Sequence, residues 1–139
     1  MTHSMTRYTL IIMVAALTIA VTVRAAAADT GSGRSTYLDH CATCHGTDAR
    51  GEGPMAPVLN PPPPDLTGLA AANGGVFPMG RVLRWVDGRR EVLSHGGPMP
   101  IFGLLLDGPS KAVLAADGTE IITSEALADV AAWLATVQR

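Results

Sequence analysis

The stretch Cys41-Ala42-Thr43-Cys44-His45 decides how this chain is read. It holds both cysteines of the 139 residues, and a histidine directly follows the second. On a helix, positions i, i+3 and i+4 lie on one face. If helical, the segment therefore gathers two thiols and one imidazole on the same side. Gly46 is a natural helix stop, and the expected first helix runs from about Ser35 to His45.

Two thiols and a histidine at this spacing match the attachment pattern of a c-type haem. Two thioethers would form to the vinyl groups of one porphyrin, and His45 would approach the iron from the same side. Rival readings fit less well. A thioredoxin-like C-x-x-C follows a strand in a βαβ context, and nothing before Cys41 reads as a strand. Structural zinc takes four ligands, so it would have to recruit His45 together with His40 or His95. A cysteine nucleophile activated by the adjacent histidine is poorly placed, because neighbouring helical residues point apart. A plain disulfide would leave the histidine unexplained.

Outward from the motif, the N-terminus has the pattern of a secretory leader. Arg7 gives a positive start, Leu10 to Val23 is an apolar run, and Ala25 to Ala28 supplies small residues before Asp29. The run is short of the roughly 20 residues of a membrane span. Arg24, just after it, is the best support for an uncleaved anchor instead. Cleavage is expected near Ala28–Asp29, dividing the chain into a leader, residues 1–28, and one domain, residues 29–139. Loss of Arg7 and Arg24 leaves eight basic against twelve acidic residues. That mildly acidic balance argues against a nucleic-acid partner, which requires a basic surface. The domain has few aromatic residues. A core so poor in large side chains would gain bulk from a buried porphyrin.

Gly31 to Gly33 reads as a flexible lead-in. Residues 46–65 are rich in glycine and proline and end in four consecutive prolines, which favour polyproline II over helix. A short helix is expected around Leu66 to Ala72. Met79, Val82, Leu83 and Val86 recur at helical spacing, with Pro78 at the first turn and Gly88 after the end. Met99 follows in a loop, bracketed by Pro98 and Pro100. Turns are expected at Asp107-Gly108-Pro109 and Asp117-Gly118, with Glu120 to Thr123 briefly extended. The last helix is the clearest: Ser124 is a good N-cap, and Leu127, Val130, Ala131 and Leu134 form its apolar face, widened by Trp133 and Val137.

Taken in order, these elements resemble the class I single-haem c-type cytochromes. Gly33-x-x-x-Tyr37 precedes the C-x-x-C-H-G motif, a Gly/Pro loop follows, Met99 lies in Gly97-Pro98-Met99-Pro100, and an amphipathic helix with Trp133 closes the chain. The resemblance covers essentially all of residues 33–139 and is weakest over 104–123. It implies an all-α cytochrome c fold, with three to five helices around one covalently attached haem and the N- and C-terminal helices packed across each other. Gly33 would permit their close approach, and Tyr37 and Trp133 would pack near the crossing.

The resemblance also implies the binding residues. Cys41 and Cys44 anchor haem c, His45 and Met99 ligate the iron, and a Pro-x-Leu carbonyl orients the histidine. Pro57-Val58-Leu59 fits that last pattern, with Leu59 against the porphyrin. Arg50 is a candidate propionate partner, since a buried carboxylate needs one. Met79 reads as core, Met55 lies too near His45 in sequence, and His95 is the alternative axial ligand. His/Met ligation raises the reduction potential. The implied function is one-electron transfer in the periplasm, with no catalytic residues, no nucleic acid and no membrane span after cleavage. Partners would be a dehydrogenase, a quinol-oxidising complex or a terminal oxidase, with the chain a monomer or a subunit of a redox complex. Arg81, Arg84, Arg89 and Arg90 form either a solvated face or a docking patch. A gas sensor or peroxidase with a labile Met ligand is the alternative from another class.

Overall fold

The computed structural model describes residues 27–89 and 99–139. Most of the expected leader lies outside that range, as do Arg90, His95, Gly97 and Pro98. Helix α1 spans Thr30–His40 and α2 spans Ala42–His45. Three 3-10 turns follow, at Ala56–Val58, Leu66–Gly68 and Ala71–Asn73. Helix α3 is Met79–Asp87, strands β1 and β2 are Ser110–Leu114 and Glu120–Ser124, and helix α4 is Glu125–Thr136.

The first helix starts at Thr30, five residues before its expected position. Asp29 caps it, its Oδ1 accepting from the N–H groups of Gly31 and Ser32 at 2.9 and 3.2 Å. Gly31 and Gly33 are thus helical rather than a flexible lead-in. Their poor helix propensity is overruled by packing, because α1 and α4 make the most extensive helix–helix contact of the fold. At the crossing, Gly33 lies so close to Asp129 that a Cβ would fall on the Asp129 carbonyl. Glycine is required there by proximity.

Helix α4 forms for the reasons its sequence gives. Ser124 accepts from the Leu127 N–H at 3.3 Å, and Leu127, Val130, Ala131, Trp133 and Leu134 are all buried. Burying each of its large aliphatic side chains is worth about 1.5–3 kcal/mol. Helix α3 buries Val82 and Leu83 against this core, with Met79 and Val86 half-buried beside them. Pro78 is its N-cap, and Gly88 ends it in the left-handed region at φ 65°, donating to the Arg84 carbonyl.

Residues 110–124 form an antiparallel hairpin, a longer extended segment than Glu120 to Thr123 alone. Ser110 pairs with Ser124, Ala112 with Ile122 and Leu114 with Glu120. The turn is built on Asp117, whose carboxylate accepts from the Thr119 N–H, and on Gly118 at φ 85°. Val113 and Ile121 face the core, while Leu114 and Ile122 are exposed. The frame is therefore mostly helical, with one hairpin added before α4. Among the described residues no helix is long and apolar enough to cross a membrane.

Candidate cofactor site

Cys41 ends α1 and opens α2. Its carbonyl accepts from the N–H groups of Cys44 and His45, at 3.1 and 2.9 Å. This single turn sets Cys41, Cys44 and His45 at the i, i+3, i+4 relation. Both thiols are free. Burial pushes the Cys41 thiol up to about 11.

Such a short helix leaves its last carbonyls without partners of their own. The Gly/Pro loop supplies them. Met55, Gly53 and Gly51 donate to the carbonyls of Thr43, Cys44 and His45, at 3.0, 3.1 and 2.8 Å. The loop thus runs antiparallel beneath the motif, one alternate N–H for each carbonyl. It comes so close that a Cβ on Gly53 would press on the Thr43 carbonyl and the Cys44 backbone. Gly46, at φ 79°, makes the turn between the two segments.

His45 is 8% exposed. Its Nδ1 faces the Pro64 carbonyl at 3.4 Å, so an Nδ1–H donates there and Nε2 carries the free lone pair. Burial lowers the imidazole's affinity for a proton, with the Pro64 carbonyl opposing, which favours the neutral ring. A carbonyl that accepts from the far ring nitrogen fixes both the tautomer and the ring orientation.

The Pro57-Val58-Leu59 expectation is corrected here. Pro57 and Val58 are exposed and Leu59 is half-buried, in a 3-10 turn whose N–H groups bond internally. The carbonyl beside His45 belongs to Pro64, in a second Pro-x-Leu stretch, Pro64-Asp65-Leu66. Two anchors hold that stretch. The Leu66 N–H donates to the Ala49 carbonyl at 2.8 Å. Gln138 and Arg139, after α4, bind the same segment: Gln138 Nε2 donates to the Leu66 carbonyl, Arg139 Nε to Thr67 Oγ1, and Arg139 Nη2 to Asp65 Oδ2, at 2.8, 2.7 and 2.7 Å. The same tripeptide pattern in the sequence could have identified Pro64.

Behind the motif, Tyr37 is fully buried and donates its hydroxyl to the Gly46 carbonyl at 2.8 Å. Its ring lies 4.4 Å from that of Trp133, tilted by 42°. Leu66, Leu69, Phe77, Met79 and Phe102 are half-buried against the same core. Met99 is half-buried just before the turn at 102–106. Arg50 is exposed and paired with Asp48 at 3.2 Å. Met55 is 42% exposed and His40 lies exposed at the end of α1.

The donor set fits a c-type haem: two unpaired thiols and a neutral imidazole oriented by a carbonyl, on one face of one turn. The class defined by this fold and site is a single-haem c-type cytochrome. The cytochrome c family model matches residues 31–138, and the chain belongs to that family. It carries haem c attached through Cys41 and Cys44, and transfers electrons as family members do. No curated protein and no solved structure matches the chain.

Proposed function

We propose that the protein is a periplasmic electron carrier whose haem iron is held between His45 and Met99. The observation that carries the reading is the His45 ring, buried, with its Nδ1 on the Pro64 carbonyl and Nε2 left for a metal. Haem c supplies one-electron cycling between the ferrous and ferric states. The chain's own residues do the rest. Cys41 and Cys44 tether the porphyrin against loss in a dilute compartment. His45 is fixed in one tautomer by Pro64. Leu66, Leu69 and Phe77 keep the surroundings apolar, and Met99 supplies a soft, neutral sulfur that favours the reduced iron. With His45 and Met99 both holding the iron, no coordination site would be left open to a substrate.

The leader reading, residues 1–28, accounts for the location, because covalent haem attachment takes place outside the cytoplasm. Redox proteins are the partners: a dehydrogenase, a quinol-oxidising complex or a terminal oxidase. Optical spectra of the oxidised holoprotein and of Met99→Ala test the ligand assignment. The weak far-red sulfur-to-iron band should be present in the first and absent from the second. Its survival in the variant would assign the sulfur to another methionine.

A further inference from the structure

Asp129 is a buried carboxylate on α4 with two partners. Its side chain is 5% exposed, and its Oδ1 accepts from Lys111 Nζ at 2.9 Å and from the main-chain nitrogen of Asp29 at 3.0 Å. The second contact joins residues one hundred positions apart. It falls at the nitrogen that the leader reading makes the first atom of the processed chain. Ala27 is exposed, and neither Ala27 nor Ala28 belongs to a regular element.

We propose that the processed protein begins at Asp29 and that its α-ammonium pairs with the Asp129 carboxylate, locking the start of α1 onto α4. The inference rests on the export reading given above. Processing hydrolyses the Ala28–Asp29 peptide bond. A leader peptidase of the export machinery consumes one water: the hydroxyl goes to the Ala28 carbonyl carbon, and the hydrogen goes to the Asp29 nitrogen. That nitrogen then takes up a proton. A neutral amide with one N–H becomes a cation with three.

The surroundings suit a cation better than an amide. Asp29 lies in a shallow groove lined by its own carboxylate and those of Asp107, Glu125 and Asp129. Two bases face these carboxylates among the described residues: Lys111, 3.6 Å from Glu125 and 2.9 Å from Asp129, and Arg89, whose Nη1 lies 3.4 Å from Asp107. Four carboxylates meet two cations there before processing, and three after it. The positive end of α1 opposes a cation. The Asp29 side chain offsets that, since its Oδ1 already takes the Gly31 and Ser32 N–H groups. The contact also sits beside the tightest point of the helix crossing, where the Asp129 carbonyl meets Gly33.

The test uses the exported, haem-loaded protein. Intact-mass analysis reads the first residue, and the pH dependence of acylation at the α-amine, followed by mass spectrometry, reads its pKa. The ordinary range for an α-amine is about 7.7–8.0. The expected result is an Asp29 start and a midpoint raised by about one unit or more, returning to the ordinary range in urea and in Asp129→Asn. Burial alone would lower the midpoint, so a raised value reports the pairing. Asp129→Asn removes a buried partner of Lys111 and is at risk of misfolding; the folded-against-urea comparison on the unaltered protein stands without it. An Asp29 start with an unshifted or lowered midpoint overturns the ion pair and leaves export intact. A first residue other than Asp29 overturns the processing site, and the pairing with it.

Discussion

The Tyr37 hydroxyl donates to the Gly46 carbonyl at 2.8 Å, from a side chain with no exposed surface. Gly46 directly follows His45, so this bond fixes the far end of the C-x-x-C-H turn. The Tyr37 ring meets Trp133 of α4. One side chain thus couples the helix crossing to the cofactor motif. The crossing of α1 and α4 both builds the core and sets where the imidazole stands.

Tyr37→Phe keeps the ring and removes the hydroxyl. The Gly46 carbonyl then keeps only the Ala49 N–H, at 3.2 Å, and the lost bond costs about 0.5–1.5 kcal/mol. Urea denaturation of the holoprotein should show that loss with Trp133 packing retained. An unchanged midpoint would mean that the Tyr37 hydroxyl adds nothing to stability beyond the Ala49 bond.

Gly33→Ala places a methyl group against the Asp129 main chain. Backbone cannot move aside as a side chain does, so α1 and α4 must separate. Overpacking of this kind costs about 1–3 kcal/mol or more. Thermal unfolding should show a lower midpoint despite alanine's better helix propensity. A higher midpoint would contradict the close crossing.

Asp65 gives a pH signature. The Thr67 hydroxyl and N–H, then the Arg139 guanidinium, hold its carboxyl below the usual carboxylate range. A carboxyl lowered in the folded state contributes stability that is fully present above its unfolded pKa, about 3.9. That contribution is lost as pH falls through the folded value. The unaltered protein should therefore melt above Asp65→Asn at neutral pH, and the gap should close in acid below about pH 4. A gap that does not narrow as the pH falls below about 4 would assign the effect to something other than the charge.

Much of this was legible in the sequence, and the failures have physical causes. The cysteines, His45, the Ser124 cap and the apolar face of α4 are local signals, and local signals survive folding. Gly31 and Gly33 read as flexible because propensity is local, whereas their helix is imposed by α4. Pro57 and Pro64 both stand in Pro-x-Leu stretches. What selects Pro64 is the Leu66–Ala49 bond and the Gln138 and Arg139 anchors, two of them joining residues more than seventy positions apart. The hairpin was half legible: the Asp117-Gly118 turn was visible, but β1 was too short and mixed to stand out. The expectations for His95, Arg90 and the leader's interior fall outside the described residues.

On the proposed reading, the protein is a one-electron carrier whose iron would be held by both His45 and Met99. An optical redox titration of the processed holoprotein, run with and without carbon monoxide, tests it most directly. One reversible one-electron transition, low-spin six-coordinate spectra in both states, and no change on adding the gas are expected. Rapid carbon monoxide binding to the reduced protein would contradict it and point to a sensor or a peroxidase.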